Sequence, residues 1–456
     1  MLINKLDNVE VNLADGHKYA RTDIKAGENI IKYGQPIGHA VCDIQKGEHV
    51  HTHNMKTNLS GTIEYSYQPD NPKIEKSHKD IKFMGYLRED GSVGIRNDVW
   101  IIPTVGCVNN IAQKIASKTG AKAFTHPFGC SQLGDDQSTT QLVLKGLINN
   151  PNASGVLVLG LGCENNNIDV FKKVLGSYNE NRVKFLNAQE SEDELAEGTE
   201  IVKALQSEAA KQKRVAVSVS KLKIGLKCGG SDGYSGITAN PLVGRMSDKL
   251  ISHGGSCVLT EVPEMFGAEH LLMKRAKDEK TFEKIVKLIN NFKEYFLRHN
   301  QVVYENPSPG NKKGGITTLE EKSLGCVQKG GLSPVVDVLD YGDILCENGL
   351  SLLNGPGNDI VAITNLTAAG VHMILFTTGR GTPVGAPVPT IKIATNTALA
   401  NAKPNWIDFN AGTILDGEDL TDELFDFCID VANGKSTKNE INGYEDISIF
   451  KDGVVL

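Results

Sequence analysis

Short apolar runs alternate with polar segments along most of the chain, and this pattern predicts a fold of strands and helices. In residues 1–60 the runs are brief and are separated by turns, at 30–34, 36–38 and 43–44, which predicts a small β domain. Residues 61–83 are polar and contain Pro69 and Pro72. We therefore predict a linker with few core contacts over this stretch.

Two α/β domains are predicted after the linker, over residues 84–220 and 221–456. Apolar runs at 99–105, 121–125, 156–161, 183–186, 222–226, 258–259, 335–339 and 373–376 are separated by turns and helical patterns. This alternation is typical of parallel sheets covered by helices. Ser191 and Glu194 have the spacing of a capping box, and an apolar stripe predicts a helix over 282–296. The predicted fold class is α/β, with a small β domain before a two-part body of mainly parallel sheets.

Three cysteines, Cys107, Cys130 and Cys163, follow three successive predicted strands. The carboxyl ends of parallel strands share one edge, so we expect the three thiols to converge there. Soft sulfur ligands favour iron or zinc over magnesium, and either a single iron ion or an iron–sulfur cluster is compatible with three cysteines. The alternative is that the cysteines are small buried residues at strand ends. His126, close to Cys130, is a candidate ligand or proton carrier, or a turn histidine bonded to backbone.

A second candidate is the segment EHVHTHN, which carries His49, His51 and His53 at alternate positions. On a strand these residues point to one face, where the imidazoles bind metal or transfer protons. The alternative is an exposed polar face. We expect this face to meet the body near the cysteine site.

Glycine-rich turns form the third candidate, in CGGSDGYSG and TTGRGTP. Glycines let backbone N–H groups approach an oxyanion, and Arg380 offers a bidentate fork to a carboxylate. The alternative is tight turns with a surface arginine. Glu261 and Glu264 are a candidate carboxylate pair, or simply the start of a helix at Pro263. Neither turn matches a dinucleotide fingerprint or a phosphate-binding loop.

The composition of the chain limits the classes of molecule that it is expected to bind. A net charge of −7 argues against nucleic acid, which requires a concentrated basic surface. The sequence has no apolar run of membrane-spanning length and its first residues lack the pattern of a signal peptide, so we expect a cytoplasmic protein with no membrane partner. Nine cysteines in such a protein are better candidates for thiols or metal ligands than for disulfides.

Several long motifs resemble the altronate and galactarate dehydratase family over nearly the whole chain. They include GSVGIRN, PTVGCVN, GCSQLGDD, VLGLGCENN, CGGSDGYSGITANP and FTTGRGTP. The resemblance implies an N-terminal SAF-type β-clip domain, removal of water from a sugar acid such as altronate, and a requirement for Fe²⁺ or Mn²⁺. Related activities on galactarate or sulfolactate, and a non-catalytic carbohydrate-binding protein, are the alternatives. The chain is short between Leu13 and Gly16, so the early hairpin of that domain is expected to be trimmed.

The resemblance and the local chemistry together give a hypothesis for the site. Metal binding is assigned to Cys107, Cys130 and Cys163, with Fe²⁺, Mn²⁺ or an iron–sulfur cluster as cofactor. Catalysis is assigned to His126, His51, His53 and Glu164. Binding of a small sugar acid is assigned to Gly229, Gly230, Ser231, Asp232, Asn240, Arg380 and Thr382. An oligomer of identical chains is a further expectation.

Overall fold

The N-terminal domain is built from short antiparallel strands. The computed structural model describes residues 1–70, 72, 74–77 and 79–453. The strands are β1 (Val9–Val11), β2 (Lys18–Ala20), β3 (Asn29–Lys32), β4 (Gln35–Ala40) and β5 (Met55–Lys56). β1 and β2 form a hairpin, and β3, β4 and β5 form a sheet. The expectation that the early hairpin is trimmed stays a prediction; residues 12–17 join β1 and β2 in a short hairpin.

The segment after this domain runs in an irregular path along the body. Residues 71, 73 and 78 of the predicted linker 61–83 lie outside the described residues. The Tyr65 hydroxyl donates a hydrogen bond to Glu269, and the Tyr67 ring lies 5.2 Å from that of Phe282. The prediction of few core contacts is wrong, since aromatic side chains in this polar segment pack against the body.

The first α/β domain has a parallel sheet with strand order β11-β10-β8-β9. A small antiparallel sheet of β12, β6 and β7 lies beside it. The elements are β6 (Lys82–Leu87), β7 (Val93–Gly94), β8 (Asp98–Pro103), α1 (Asn109–Thr119), β9 (Lys122–Ala123), α2 (Gly134–Asn149), β10 (Ala153–Gly160), α3 (Ile168–Leu175), β11 (Val183–Asn187), α4 (Glu194–Lys211) and β12 (Val215–Ser218).

The start of α4 differs from the predicted capping box. Asp193 caps the helix by accepting from the backbone N–H of Ala196, whereas Ser191 donates its hydroxyl to Glu197. A carboxylate at this position accepts an orphan N–H and also interacts favourably with the helix dipole. The helix therefore begins two residues later than a Ser191 cap requires.

The second α/β domain is larger and its sheet is parallel throughout, in the order β15-β16-β14-β13-β17-β18-β19. The elements are β13 (Lys223–Cys228), α5 (Ala239–Ser252), β14 (Ser256–Leu259), α6 (Glu269–Met273), α7 (Glu279–Arg298), α8 (Pro309–Lys313), α9 (Leu319–Cys326), β15 (Val335–Leu339), β16 (Leu350–Leu353), α10 (Asp359–Ala368), β17 (Met373–Thr378), β18 (Thr390–Ala394), α11 (Thr397–Ala402), β19 (Phe409–Asn410), α12 (Thr421–Ala432) and α13 (Lys438–Asn442).

The two α/β domains share an apolar layer. Trp100 and Phe124 of the first domain belong to the same buried cluster as Phe376 of the second. Helices α2 and α10 pack closely, because a Cβ at Gly146 would lie 2.4 Å from the Ala368 carbonyl oxygen. The predicted α/β class, with a small N-terminal β domain and parallel sheets, is confirmed. Among the described residues, no helix combines the length and apolar character needed to cross a membrane.

Candidate functional site

The three predicted cysteine ligands lie at one edge of the first sheet. Cys107 follows β8, Cys130 follows β9 and Cys163 follows β10, and these three strands are neighbours in the sheet. All three thiols are exposed and unpaired by disulfides. Adjacent parallel strands place their carboxyl ends side by side, so the three loops share one edge.

Backbone contacts hold the three cysteine loops against each other. The N–H of Gly106 donates to the Phe128 carbonyl at 2.9 Å, and that of Asn166 donates to Gly129 at 3.0 Å. Gly129 has φ +99°, and a Cβ there would lie 2.0 Å from the Thr104 carbonyl oxygen. Only glycine allows this approach, which brings the Cys130 loop onto the end of β8.

The donor set fits iron in its chemistry, since soft thiolates in an exposed position suit iron or an iron–sulfur cluster. Across the part of the chain that the structure describes, no three His, Cys, Asp or Glu side chains are gathered for a single metal ion. A cluster spreads its cysteine ligands further apart than one ion does. Metal binding by the three cysteines stays a prediction.

His126 and Glu164 support these loops from beneath. The His126 ring accepts from the N–H of Phe128 and donates to the Pro103 carbonyl, at 3.2 and 2.8 Å. Burial lowers the pKa of His126 to about 4, so the neutral ring bonded to backbone is the form present. Its predicted catalytic role remains untested, but both ring nitrogens are occupied in this structure.

The Glu164 carboxylate accepts hydrogen bonds from its own loop and from the end of β8. Its donors are the Thr104 hydroxyl at 2.7 Å and the N–H groups of Leu161 and Gly162 at 3.0 and 2.6 Å. Burial opposes ionisation, but these donors outweigh it and lower the pKa of Glu164. An ionised Glu164 acts as an anchor of the Cys163 loop and, being an acceptor, has no proton to donate.

The second group of predicted residues lies at the carboxyl edge of the larger sheet. Asp232 is buried, and its carboxylate accepts from the side chains of Ser235, Thr395 and Asn396. Asn240 donates to the Gly325 carbonyl and accepts from Thr377. These hydrogen bonds fix the turn that carries Gly229, Gly230 and Ser231 between β13 and α5.

Arg380 is an exposed cation at this edge. It follows β17, and its guanidinium makes a 3.4 Å contact with the Gly310 carbonyl. The neighbouring Thr382 is half-buried and accepts from the N–H of Val384 at 3.4 Å. An exposed arginine beside a glycine-rich turn is available to a carboxylate ligand.

A buried network of charges lies beneath the turn, where sequence patterns had indicated only Glu261 and Glu264. Lys227 pairs with Glu261, Lys329 lies 3.4 Å from the same carboxylate, and Lys322 pairs with Glu264 at 2.8 Å. Burial and the neighbouring Glu264 raise the pKa of Glu261 to about 7, while the lysines overcome burial and hold Glu264 at about 2. Paired carboxylates with separated pKa values are typical of functional sites.

The N-terminal domain covers this second edge. Lys18 and Lys32 each pair with Glu321 of α9 at 2.8 Å, and all three side chains are buried. Tyr33 has φ +60° and lines a small cavity with Ser231 and Lys32. The predicted contact with the body therefore exists, but it is made with the second α/β domain. Among the described residues, no hydrogen bond joins the N-terminal domain to the cysteine loops, so the predicted location beside them is not supported.

The histidine segment adopts a turn and not the predicted strand. The His51 N–H donates to the Asn54 side chain at 2.9 Å, and the Asn54 amide donates to the His49 carbonyl. The rings still share one surface, since His49 lies 5.4 Å from His51 and 5.6 Å from His53, with His17 joining at 5.0 Å. His17 lies on the β1–β2 hairpin and was missed because it is remote in sequence.

The histidine cluster contacts the second domain through one ring. His51 Nε2 lies 2.9 Å from the Lys312 carbonyl oxygen. Burial and the neighbouring imidazoles lower the pKa of His49 to about 4, and burial also lowers that of His51. Neutral imidazoles near neutral pH are able to accept a proton.

The two sheet edges are separate groups of side chains. No hydrogen bond or ion pair within the described ranges links the cysteine loops to residues 229–232 or Arg380. Both border the same apolar cluster, against which Phe128 of the first domain and Val384 of the second are packed. A single site that uses both groups requires the substrate to bind between the two edges.

Comparisons with known proteins match the chain from end to end. Family models match residues 3–58 (Altronate/galactarate dehydratase SAF domain), 85–210 (D-galactarate dehydratase/Altronate hydrolase, second domain) and 219–455 (D-galactarate/Altronate dehydratase, C-terminal). Altronate dehydratase of Bacillus subtilis strain 168 is 54% identical, covering 98% of this chain and 93% of the relative. Altronate dehydratase of Escherichia coli K12 is 51% identical, covering 100% and 99%. Galactarate dehydratase (L-threo-forming) of the same organism is 33% identical, covering 93% and 87%.

Proposed function

The chain belongs to the D-galactarate/altronate dehydratase family, and we propose that it removes water from D-altronate to give 2-dehydro-3-deoxy-D-gluconate. The observation that carries this proposal is the similarity to two altronate dehydratases, at 51% and 54% identity over nearly all of the chain. Galactarate dehydratase is less similar, at 33% identity, so altronate is the substrate we favour.

The reaction requires a proton to leave C2 and a hydroxyl to leave C3. The C2 proton is poorly acidic because the adjacent carboxylate is already negative, so a cation on that carboxylate stabilises the developing charge. Arg380 is an exposed cation at the second edge, and we assign it to the substrate carboxylate together with the backbone of Gly229, Gly230 and Ser231. The product enol then tautomerises to the keto acid.

Proton transfer is assigned to the histidines of the N-terminal domain. Neutral His51 contacts the carbonyl of Lys312, and His53 is exposed beside it. Their place over the second domain supports them as proton carriers better than His126, whose two ring nitrogens already bond backbone. Glu164 is assigned to positioning the Cys163 loop.

We assign the metal to the cysteine edge, with Cys107, Cys130 and Cys163 as ligands. Iron held there, as Fe²⁺ or in a cluster, would supply a Lewis acid for the leaving hydroxyl; Mn²⁺ is the alternative ion. The exposure of the three thiols supports a position open to substrate. We also propose that the protein acts in the cytoplasm as an oligomer of identical chains.

The test is an activity assay on protein purified in air and then treated anaerobically with a reductant and Fe²⁺. We expect little activity before treatment and altronate dehydration after it, because iron and thiolate are both sensitive to oxidation. Visible absorption of the active protein separates a cluster, which has a broad charge-transfer band, from a nearly colourless single ion. Faster turnover of galactarate than of altronate, or no bound metal together with no turnover, would contradict the proposal.

A further inference from the structure

The short helix α8 contacts two of the residues that we assign to the reaction. The carbonyl of Gly310, in its first turn, accepts from the Arg380 guanidinium at 3.4 Å. The carbonyl of Lys312, near its end, lies 2.9 Å from Nε2 of His51. One element therefore lies between the residue assigned to the substrate carboxylate and a histidine assigned to proton transfer.

A side chain of the same helix, Asn311, holds the glycine-rich turn of residues 229–231. Its Nδ2 donates to the Ser231 carbonyl at 2.8 Å, and the residue is only 3% exposed. Loss of a donor to a buried carbonyl costs more than loss of an exposed hydrogen bond, because water does not replace it. The position of the turn therefore depends on this amide.

Three donors fix the orientation of the Asn311 amide. Its Oδ1 accepts from the N–H and the hydroxyl of Ser308, at 3.1 and 2.9 Å, and from the Lys322 ammonium at 3.2 Å. A backbone N–H and an ammonium only donate, so the amide oxygen faces them and the nitrogen faces Ser231. Because Lys322 also pairs with Glu264 at 2.8 Å, the buried charged network supports this orientation.

The turn is also bonded to the Arg380 loop and to the segment after α8. The Gly230 carbonyl accepts from the N–H of Arg380 at 3.1 Å, and the N–H of Gly233 donates to the Gly314 carbonyl at 2.7 Å. A Cβ at Gly233 would lie 1.9 Å from the carbonyl oxygen of Gly16 in the β1–β2 hairpin. The end of the turn is therefore fixed by close packing, and a change at Ser231 is transmitted to Arg380.

We infer that Asn311 is a positioning residue, which holds the turn of residues 229–231 and the Arg380 loop in the geometry that binds the substrate carboxylate. This inference rests on the proposed function, in which that turn and Arg380 bind the sugar acid. Hydrogen-bond donors stabilise developing charge when they are held in place before the reaction. Asn311 acts through these groups and is not assigned a contact with the substrate.

The first test is Asn311→Asp, which keeps the shape of the side chain and removes its N–H donors. A carboxylate oxygen then faces the Ser231 carbonyl, and the two acceptors repel each other, while the donors to Oδ1 are retained. We expect kcat/KM for altronate to fall roughly tenfold to a hundredfold, through a higher KM and a lower kcat. Partial unfolding lowers the apparent kcat alone, so a constant KM would overturn the inference.

Asn152 provides a matched control at the amino ends of the strands. It is fully buried, its Nδ2 donates to the His372 carbonyl at 2.8 Å, and its Oδ1 accepts from the N–H of Ile95 at 2.9 Å. Asn152→Asp creates the same repulsion between acceptors, far from both carboxyl edges. It should lower stability in urea and leave kcat and KM unchanged in the folded protein. Equal changes of KM in the two Asp variants would make the role of Asn311 merely structural.

Hydrogen exchange tests the attachment of the turn without turnover. Peptides covering residues 229–235 should exchange faster in Asn311→Asp, and those covering α7 should not change; Asn311→Ser serves if the Asp variant does not fold. Faster exchange in a protein that does not dehydrate altronate would support the role of Asn311 and contradict the proposed substrate. Unchanged exchange and kinetics in a variant of an altronate-dehydrating protein would overturn the inference and leave the proposed function intact.

Discussion

The carboxyl edges of the two parallel sheets occupy equivalent positions in their domains but differ in chemistry. The edge of the first sheet presents three exposed cysteines, supported by the neutral His126 and the ionised Glu164. The edge of the second sheet lies under the N-terminal domain and contains lysines and carboxylates buried in direct pairs. The same topological position therefore carries exposed thiols in one domain and a closed, buried charge network in the other.

The two edges differ in how their polar groups are stabilised. Buried ions lose hydration, so each needs a partner and additional hydrogen bonds; Glu321 has Lys18, Lys32 and the Thr317 N–H. Exposed thiols keep contact with water and need no partner. We therefore expect substitutions at the first edge to affect activity, and substitutions at the second edge to affect stability as well.

The largest effect is expected at the exposed cysteines. Replacing Cys107, Cys130 or Cys163 by Ser should lower kcat/KM at least about a hundredfold in the Fe²⁺-treated protein, because a hydroxyl is rarely deprotonated and binds iron poorly. Anaerobic kinetics measure the change in kcat/KM, and metal analysis measures the iron bound by each variant. Cys346→Ser, at another exposed cysteine, is the control and should behave as the unmodified protein. Full activity of the three variants with Mg²⁺ alone would make these thiols structural.

The next largest effect is expected at the closed edge. Glu321→Gln leaves Lys18 and Lys32 buried without their carboxylate, which should lower the free energy of unfolding by about 3–5 kcal/mol. Urea unfolding measures the loss of stability, and the rate of protease cleavage after residue 60 measures release of the N-terminal domain. Asp43→Asn removes an exposed ion pair with Lys25 in the same domain and should leave stability unchanged. Equal stability of both variants would mean that the buried triad does not hold the domain.

A smaller effect is expected at Arg380. Arg380→Gln should lower kcat/KM for altronate roughly tenfold to a hundredfold, through a higher KM and a lower kcat, because the lost contact binds the substrate carboxylate and stabilises the charge that develops on it. Steady-state kinetics separate the two constants. Arg245→Gln, at an exposed arginine on α5, is the control. Unchanged kcat and KM in Arg380→Gln would contradict the assignment of Arg380 to the substrate carboxylate.

The smallest effect is expected from pH at the histidine cluster. The pKa of His49 in the folded protein is about 4, below the unfolded value of 6.5, so the unfolded state binds more protons between these values. Stability is therefore full above about pH 6.5 and falls as the pH decreases toward 4. Thermal unfolding across this range should show a weaker pH dependence in His49→Gln, whereas His39→Gln should leave the dependence unchanged. An identical dependence in both variants would exclude His49 as its source.

The elements that sequence predicted well are those with strong local patterns. The apolar runs at 99–105, 156–161 and 373–376 correspond to β8, β10 and β17, because buried parallel strands are apolar throughout. The strand β18 was not predicted, because Lys392 interrupts its apolar run. That lysine is buried against the Phe376 ring at 4.4 Å and donates to the Thr382 and Val384 carbonyls, which no local pattern reveals.

The cysteine edge was predictable and the charged network was not. Cys107, Cys130 and Cys163 each lie in the loop that follows a strand of the first sheet, so their place at one edge follows from topology. The partners Lys32 and Glu321 lie 289 positions apart, and a lone lysine normally indicates an exposed position. The histidine turn was missed for a local reason, because Asn54 bonds the backbone of residues 49 and 51 and closes a turn in place of a strand.

The close approach of Gly146 to Ala368 has a consequence for how the body unfolds. Since α2 and α10 share one apolar layer with Trp100, Phe124 and Phe376, neither α/β domain can lose its core without exposing part of the other. The N-terminal strands likewise belong to the main buried cluster of the second domain. Three matched segments of sequence therefore form one cooperative unit, and calorimetry of the reduced protein should give a single heat-absorption peak.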